Sequence, residues 1–204
     1  MTTSVKTTTS NDPQVLKNVN QVIDVLVLID TDKLKEYYNS STPQKKPSQD
    51  PKSPTDIDHS FEFMYCAGSR QPVQKQGTAD LEFYAIPGDI VRFHGMSMYA
   101  NSQDSVIVYD ITPNSSARLF NHFDQIEVKI KGAAAPQIDD EGPGNYHGLP
   151  AQRVVGDFYA YSTTVKEGGD EAYKITFALY ELDKNGENQL PFGYFRWDPT
   201  IHVS

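Results

Sequence analysis

At 204 residues, 38% hydrophobic and 22% charged with a mean hydropathy of -0.54, the chain has the size and composition of one globular domain with a sizeable core. Its formal net charge of -9 repels phosphate backbones and anionic lipid surfaces, which speaks against nucleic acid as a partner. Membrane insertion is not expected either, because the longest apolar run, Val25 to Ile29, is flanked by Asp24 and Asp30.

The first twenty or so residues are a Thr/Ser/Asn-rich tract without hydrophobic period, read as a disordered polar leader over 1–20 ahead of a domain over 21–204. The tract has no apolar segment of the signal-peptide kind, and the lone Cys66 permits no internal disulfide. Both features predict a cytoplasmic protein, in which the Asn-x-Ser sites at Asn39 and Asn114 have no route to glycosylation.

Val22 to Ile29 is β-branched and nearly continuous, which predicts a central strand buried on both faces. Asp30 or Thr31 can then cap a short helix over Lys33 to Tyr38, with Leu34 and Tyr37 on one face. Asn39 to Asp58 carries four prolines and predicts a first long loop. Beyond it the period becomes two. Phe61, Phe63 and Tyr65 alternate with Glu62, Met64 and Cys66, and Leu81, Phe83 and Ala85 alternate with Glu82, Tyr84 and Ile86.

Pro87-Gly88 supplies the dihedrals of a type II turn, joining that second run to Ile90-Val91-Arg92-Phe93 as a hairpin or tight corner. Ser105 to Ile111 and Gln125 to Lys131 follow as strands, and Ala133 to Ala151, aperiodic and turn-rich, predicts a second long loop. The last third offers Phe158 to Val165, a Gly168-Gly169 turn, Tyr173 to Glu181, an Asn185-Gly186 turn and Phe192 to Trp197. Roughly nine strands at this spacing, with no helix long enough for parallel crossovers, predict an all-β, largely antiparallel, jelly-roll-like sandwich with one short helix and two long loops.

Catalytic spacing is absent. Gly95-Met96-Ser97-Met98-Tyr99 lacks the second glycine of a nucleophile elbow, and Cys66 sits in an alternating strand without a basic neighbour, as a packed thiol would. The five histidines, His59, His94, His122, His147 and His202, show no local zinc spacing, and Asp183 to Glu187 fits a hairpin turn better than a calcium loop. The acidic clusters Asp56/Asp58 with His59 and Asp139-Asp140-Glu141 read first as solvated loops. No phosphate-binding or dinucleotide motif occurs, so no cofactor is expected.

Aromatics carry more signal. Tyr159, Tyr161, Tyr194, Phe195 and Trp197 lie near Asp157, Arg196 and Asp198, the mixture a sugar- or protein-binding surface uses, although alternation places most such rings inside a sandwich.

Ile23 to Asp30, Pro51-Lys52-Ser53-Pro54-Thr55, Gly77-Thr78-Ala79-Asp80-Leu81, Gly88 to Phe93, Asn101, and Tyr194-Phe195-Arg196-Trp197-Asp198-Pro199 stand in an order and spacing that resembles the AidA/PixA-like inclusion body protein family of bacteria. The resemblance runs from about Val22 to the end of the chain. It implies an abundant protein associated with intracellular inclusions, with quorum-dependent expression or host interaction, and no established reaction. A methionine-rich storage member is not matched, since the chain has only 4 Met.

Two functions from different classes follow. The first is a non-catalytic module that self-associates or binds a glycan or host-protein ligand through Trp197, Asp198, Tyr194, Arg196 and Asn101. The second is an enzyme or metal-dependent protein assembled from His59, Asp56, Asp58, His94 and Arg92, with Asp89 and Arg92 as a structural pair at the corner. Structural storage is a third reading.

Overall fold

The computed structural model describes residues 19–40, 46–137 and 148–204, so residues 1–18 of the expected 1–20 leader and the Asp139-Asp140-Glu141 cluster lie outside the described residues. Among the described residues there are eleven strands and one helix. In chain order they are β1 (Val22–Ile29), α1 (Thr31–Ser40), β2 (Thr55–Asp56), β3 (Glu62–Ala67), β4 (Leu81–Phe83), β5 (Ile90–Ser97), β6 (Asp104–Pro113), β7 (Asp124–Gln137), β8 (Gly148–Thr164), β9 (Gly169–Leu182), β10 (Gln189–Trp197) and β11 (Thr200–Val203). One sheet runs β3-β1-β5-β8-β7. The other runs β2-β10-β9-β11-β4, with β6 on the free edge of β9.

The all-β sandwich with one short helix is thus the observed architecture. Of the strand pairings described, six are antiparallel. Three are parallel: β1 with β5, β10 with β2 and β11 with β4. The chain makes these parallel pairs without a crossover helix, because it changes sheets between partners. Between β1 and β5 it passes through α1 and through β2 and β4, which belong to the opposite sheet.

The two sheets meet over alternate residues. Ile23, Val25, Val27 and Ile29 of β1 are fully buried, as are Tyr173, Ile175, Phe177 and Leu179 of β9. Only that face of β1 is dry. Asp24, Leu26 and Leu28 are half-buried on the outer face, so β1 is central in its sheet but not sealed on both sides. In β3 the buried set is Glu62, Met64 and Cys66, while Tyr65 faces solvent. Burial pushes the Cys66 thiol up to about 12, which makes it a packed, unreactive group.

Asp30 caps α1, accepting from the Lys33 N–H at 3.0 Å. The helix buries Leu34 and Tyr38, one turn apart, and leaves Tyr37 partly exposed with its ring against Phe61. Pro87-Gly88 makes the expected turn, with the Asp89 N–H donating to the Ile86 carbonyl at 3.0 Å and Gly88 at φ +94°. It is a corner between sheets and not a hairpin, since β4 and β5 lie in opposite sheets.

Buried Asp89 holds this corner. It accepts from Arg70 Nε and Nη2, both at 2.7 Å, and from the Gln21 and Ile86 N–H groups, both at 2.9 Å. The expected Asp89–Arg92 pair is therefore corrected. Arg92 points to the outer face and clamps Asp24 bidentately, with both contacts at 2.7 Å, because neighbouring residues of a strand project to opposite faces.

The second long loop is also corrected. Ala133 to Gln137 extends β7 and Gly148 to Ala151 opens β8, forming a two-stranded arm. Its alanines pair through backbone and bury little, so no hydrophobic period marks them. The first loop is partly tied down: Ser48 bridges Tyr194, the Pro51 carbonyl accepts from the Tyr109 hydroxyl at 2.8 Å, and Thr55–Asp56 pairs with β10.

Candidate ligand-binding cleft

β5 and β8 pair only from Ile90↔Thr164 to Phe93↔Tyr161. Past that point β5 stays with β1 as far as Ser97, whereas β8 stays with β7. The sheet therefore splits, and a cleft of about 510 Å³ opens between His94–Met96 on one side and Asp157–Tyr161 on the other. Val106 and Val108 of β6 line it from behind.

Glycine is what lets β6 come so close. A Cβ at Gly95 would stand 2.7 Å from Val108 Cγ2. Gly95→Ala is expected to cost about 1–3 kcal/mol through overpacking against a stiff β-branched neighbour. Thermal unfolding checks this: Gly95→Ala/Val108→Ala should recover part of the loss, and an unchanged midpoint for Gly95→Ala alone would remove the steric argument.

The cleft walls are fixed by specific contacts. The Tyr161 hydroxyl donates to the Tyr109 carbonyl. The Phe158 ring meets the His94 ring edge to face at 4.8 Å and lies 5.8 Å from the Arg92 guanidinium carbon, which Asp24 holds in place.

Asn101 lies at the cleft's end at φ +56°, a left-handed conformation that asparagine tolerates. Its Oδ1 accepts from the Ser97 and Val106 N–H groups, both at 2.9 Å, and its Nδ2 donates to the Val106 carbonyl at 3.2 Å. Asn101 is thus the bracket that sets the start of β6.

Two residues that line the cleft are distinctive. Tyr159 is 66% exposed although it is aromatic, and it stands next to Asp157. His94, packed on Phe158, has its Nε2 buried away from solvent and without a hydrogen-bond partner among the described residues. Burial pushes the His94 pKa down, and Asp24 opposes this only in part, so the ring is neutral at neutral pH and can donate or accept according to tautomer.

The other expected ligand residues lie elsewhere, on β10 and just after it. Trp197 is 1% exposed and its indole N–H points at the Ala79 carbonyl at 3.4 Å, inside the core with Phe177 and Phe195. Tyr194, Arg196 and Asp198 have the opposite parity and face outward. Tyr194 meets Tyr109 edge to face at 6.0 Å, Arg196 Nε donates to Asp56 at 2.7 Å, and Asp198 stands 3.4 Å from His59 Nε2. Alternation along β10 was the signal that separates the two sets.

The residues of the enzymatic reading are not brought together. His94 and Arg92 lie on β5 in one sheet, while Asp56, Asp58 and His59 lie on and after β2 at the edge of the other. Among the described residues no three His, Cys, Asp or Glu side chains are grouped to hold a metal ion.

A Ser–His–Asp order does occur. His202 Nδ1 lies 2.6 Å from Asp170 and Nε2 lies 2.6 Å from the Ser204 hydroxyl. Cross-strand register brings His202 opposite Asp170. However, the Ser204 N–H already donates to the Phe83 carbonyl at 3.0 Å, so it is not a free donor for an oxyanion. The set is a surface hydrogen-bond network.

No helix among the described residues is long and apolar enough to cross a membrane. No curated protein matches the chain. Among solved structures, the crystal structure of an inclusion body protein (PixA) from Burkholderia cenocepacia J2315 is similar in fold, with a TM-score of 0.68 at 24% identity over 93% of this chain and 99% of that one. The family model described as "PixA: Inclusion body protein" matches residues 21–203. The chain belongs to the PixA inclusion body protein family.

Proposed function

We propose that this inclusion body protein is a non-catalytic binding module whose cleft between β5 and β8 takes a glycan. A sugar combines an apolar C–H face with directed hydroxyls. Tyr159 offers a flat ring for the first, and Asp157 and Gln125 offer acceptors and a donor for the second. The Tyr159 ring, exposed in the cleft beside Asp157, is the single observation that carries the reading. The cleft's volume, about 510 Å³, is in the range of small-molecule sites.

Calorimetric titration guided by a glycan array tests this. Tyr159→Ala, at an exposed position, is expected to leave the melting curve unchanged and weaken binding about tenfold or more. A folded protein that binds no saccharide at millimolar concentration, or one whose affinity ignores Tyr159→Ala, would overturn the proposal.

A further inference from the structure

Strand β7 is the terminal strand of its sheet, and it is 14 residues long. From Gln125 to Lys131 its outer edge has no strand paired to it among the described residues, and Val128 and Ile130 on its outer face are half-buried and 48% exposed respectively. An edge of this length is a template for another strand unless charges guard it. β7 does carry charges, Glu127, Lys129 and Lys131, but their arrangement selects a partner as well as excluding others.

When two copies of β7 lie antiparallel about Val128, Glu127 of each faces Lys129 of the other, Ile126 faces Ile130, and Val128 faces itself. A shift of the symmetry axis by one residue either way sets Glu127 against Glu127 or Lys129 against Lys129. Opposite charges directly across a strand pair stabilise it and like charges destabilise it, so the sequence of β7 is complementary to itself in the Val128-centred register. The intrachain Lys129–Glu127 contact at 3.0 Å would then become the middle of a four-charge ladder across the junction.

We infer that two copies of this chain pair edge to edge through β7, antiparallel about Val128, so that two five-stranded sheets become one continuous sheet. The partner is a second copy, and the contact is a closed twofold. It rests on the open edge of β7 and not on the glycan reading, although Gln125 of the same strand lines the cleft.

Sedimentation of the full chain over a concentration series reads the association directly. Glu127→Lys is expected to weaken the dimer about tenfold or more, because both cross-strand pairs become repulsive. Glu127→Lys/Lys129→Glu restores opposite charges and should restore the dimer. Both positions are exposed, so circular dichroism should report an unchanged fold. In Val128→Cys, a short bis-maleimide should capture a covalent dimer through residue 128, while the buried Cys66 stays unmodified.

A chain that is monomeric at every soluble concentration overturns the inference. So does a dimer indifferent to Glu127→Lys, or one that Val128→Cys cannot capture.

Discussion

Asp89→Ala is expected to destabilise the protein by about 3–5 kcal/mol, because it strips the counter-charge from the half-enclosed Arg70 and leaves the Gln21 and Ile86 N–H groups without their acceptor. For a chain of this size that is a fall in melting midpoint on the order of 10 °C. The pH dependence has a definite sign. Burial pushes the Asp89 carboxyl upward, but the Arg70 hydrogen bonds and the two backbone N–H groups outweigh it and hold the pKa below the ordinary carboxylate value.

A carboxyl depressed in the folded state contributes stability that is fully present above its unfolded pKa, near about 3.9, and is lost as pH falls through the folded value. Chemical denaturation of wild type and Asp89→Ala should therefore show a gap that is constant at neutral pH and closes only in strong acid. A gap below about 1 kcal/mol at pH 7 would show that the corner is held by the Pro87-Gly88 turn alone.

Glu62 should behave in the opposite sense. Its side chain is fully buried on β3, with Oε2 accepting from the Phe61 N–H at 3.1 Å and Oε1 without a partner. Burial pushes its pKa up to about 8, and the Phe61 hydrogen bond opposes this only in part. The folded state then holds a proton that the unfolded state releases near the ordinary glutamate value, so stability declines as pH rises through the interval up to about 8 and is level above it.

A rise of this size corresponds to about 3–5 kcal/mol at order-of-magnitude level. Glu62→Gln keeps the shape, removes the ionisation, and should flatten the stability profile. The variant is expected to be more stable than wild type at pH 9 and no more stable at pH 5. Parallel profiles for the two proteins would show that water or a rotamer change relieves the buried carboxylate.

The core was legible in the sequence because burial leaves a period. The set Tyr173, Ile175, Phe177 and Leu179 could be read as one buried face, and it is fully buried. The β7–β8 arm was not legible. Its outer part pairs through backbone and encloses nothing, so Ala133 to Gln137 reads like a loop. Parallel pairing of β1 with β5 was hidden for a different reason: the return path runs through the opposite sheet, which no local pattern records.

Only part of the cleft could have been found beforehand. Asp157, Tyr159 and Tyr161 stood out as residue types and Asn101 through the family resemblance, but what gathers them is the divergence of β5 and β8 beyond Phe93 and Tyr161. Conversely, Trp197 looked like a contact residue by type, although it shares parity with Phe195 and so goes to the core with it.

Amide chemical-shift mapping of the isotopically labelled full chain, titrated with the best-binding saccharide from the array, tests the cleft most directly. Occupancy there should move the amides of His94 to Met96 and of Asp157 to Tyr161 together, and leave Asp56 to His59 and Arg196 to Asp198 in place. Shifts confined to the Asp56–Arg196 neighbourhood, with His94 and Tyr159 unmoved, would contradict a ligand seated between β5 and β8.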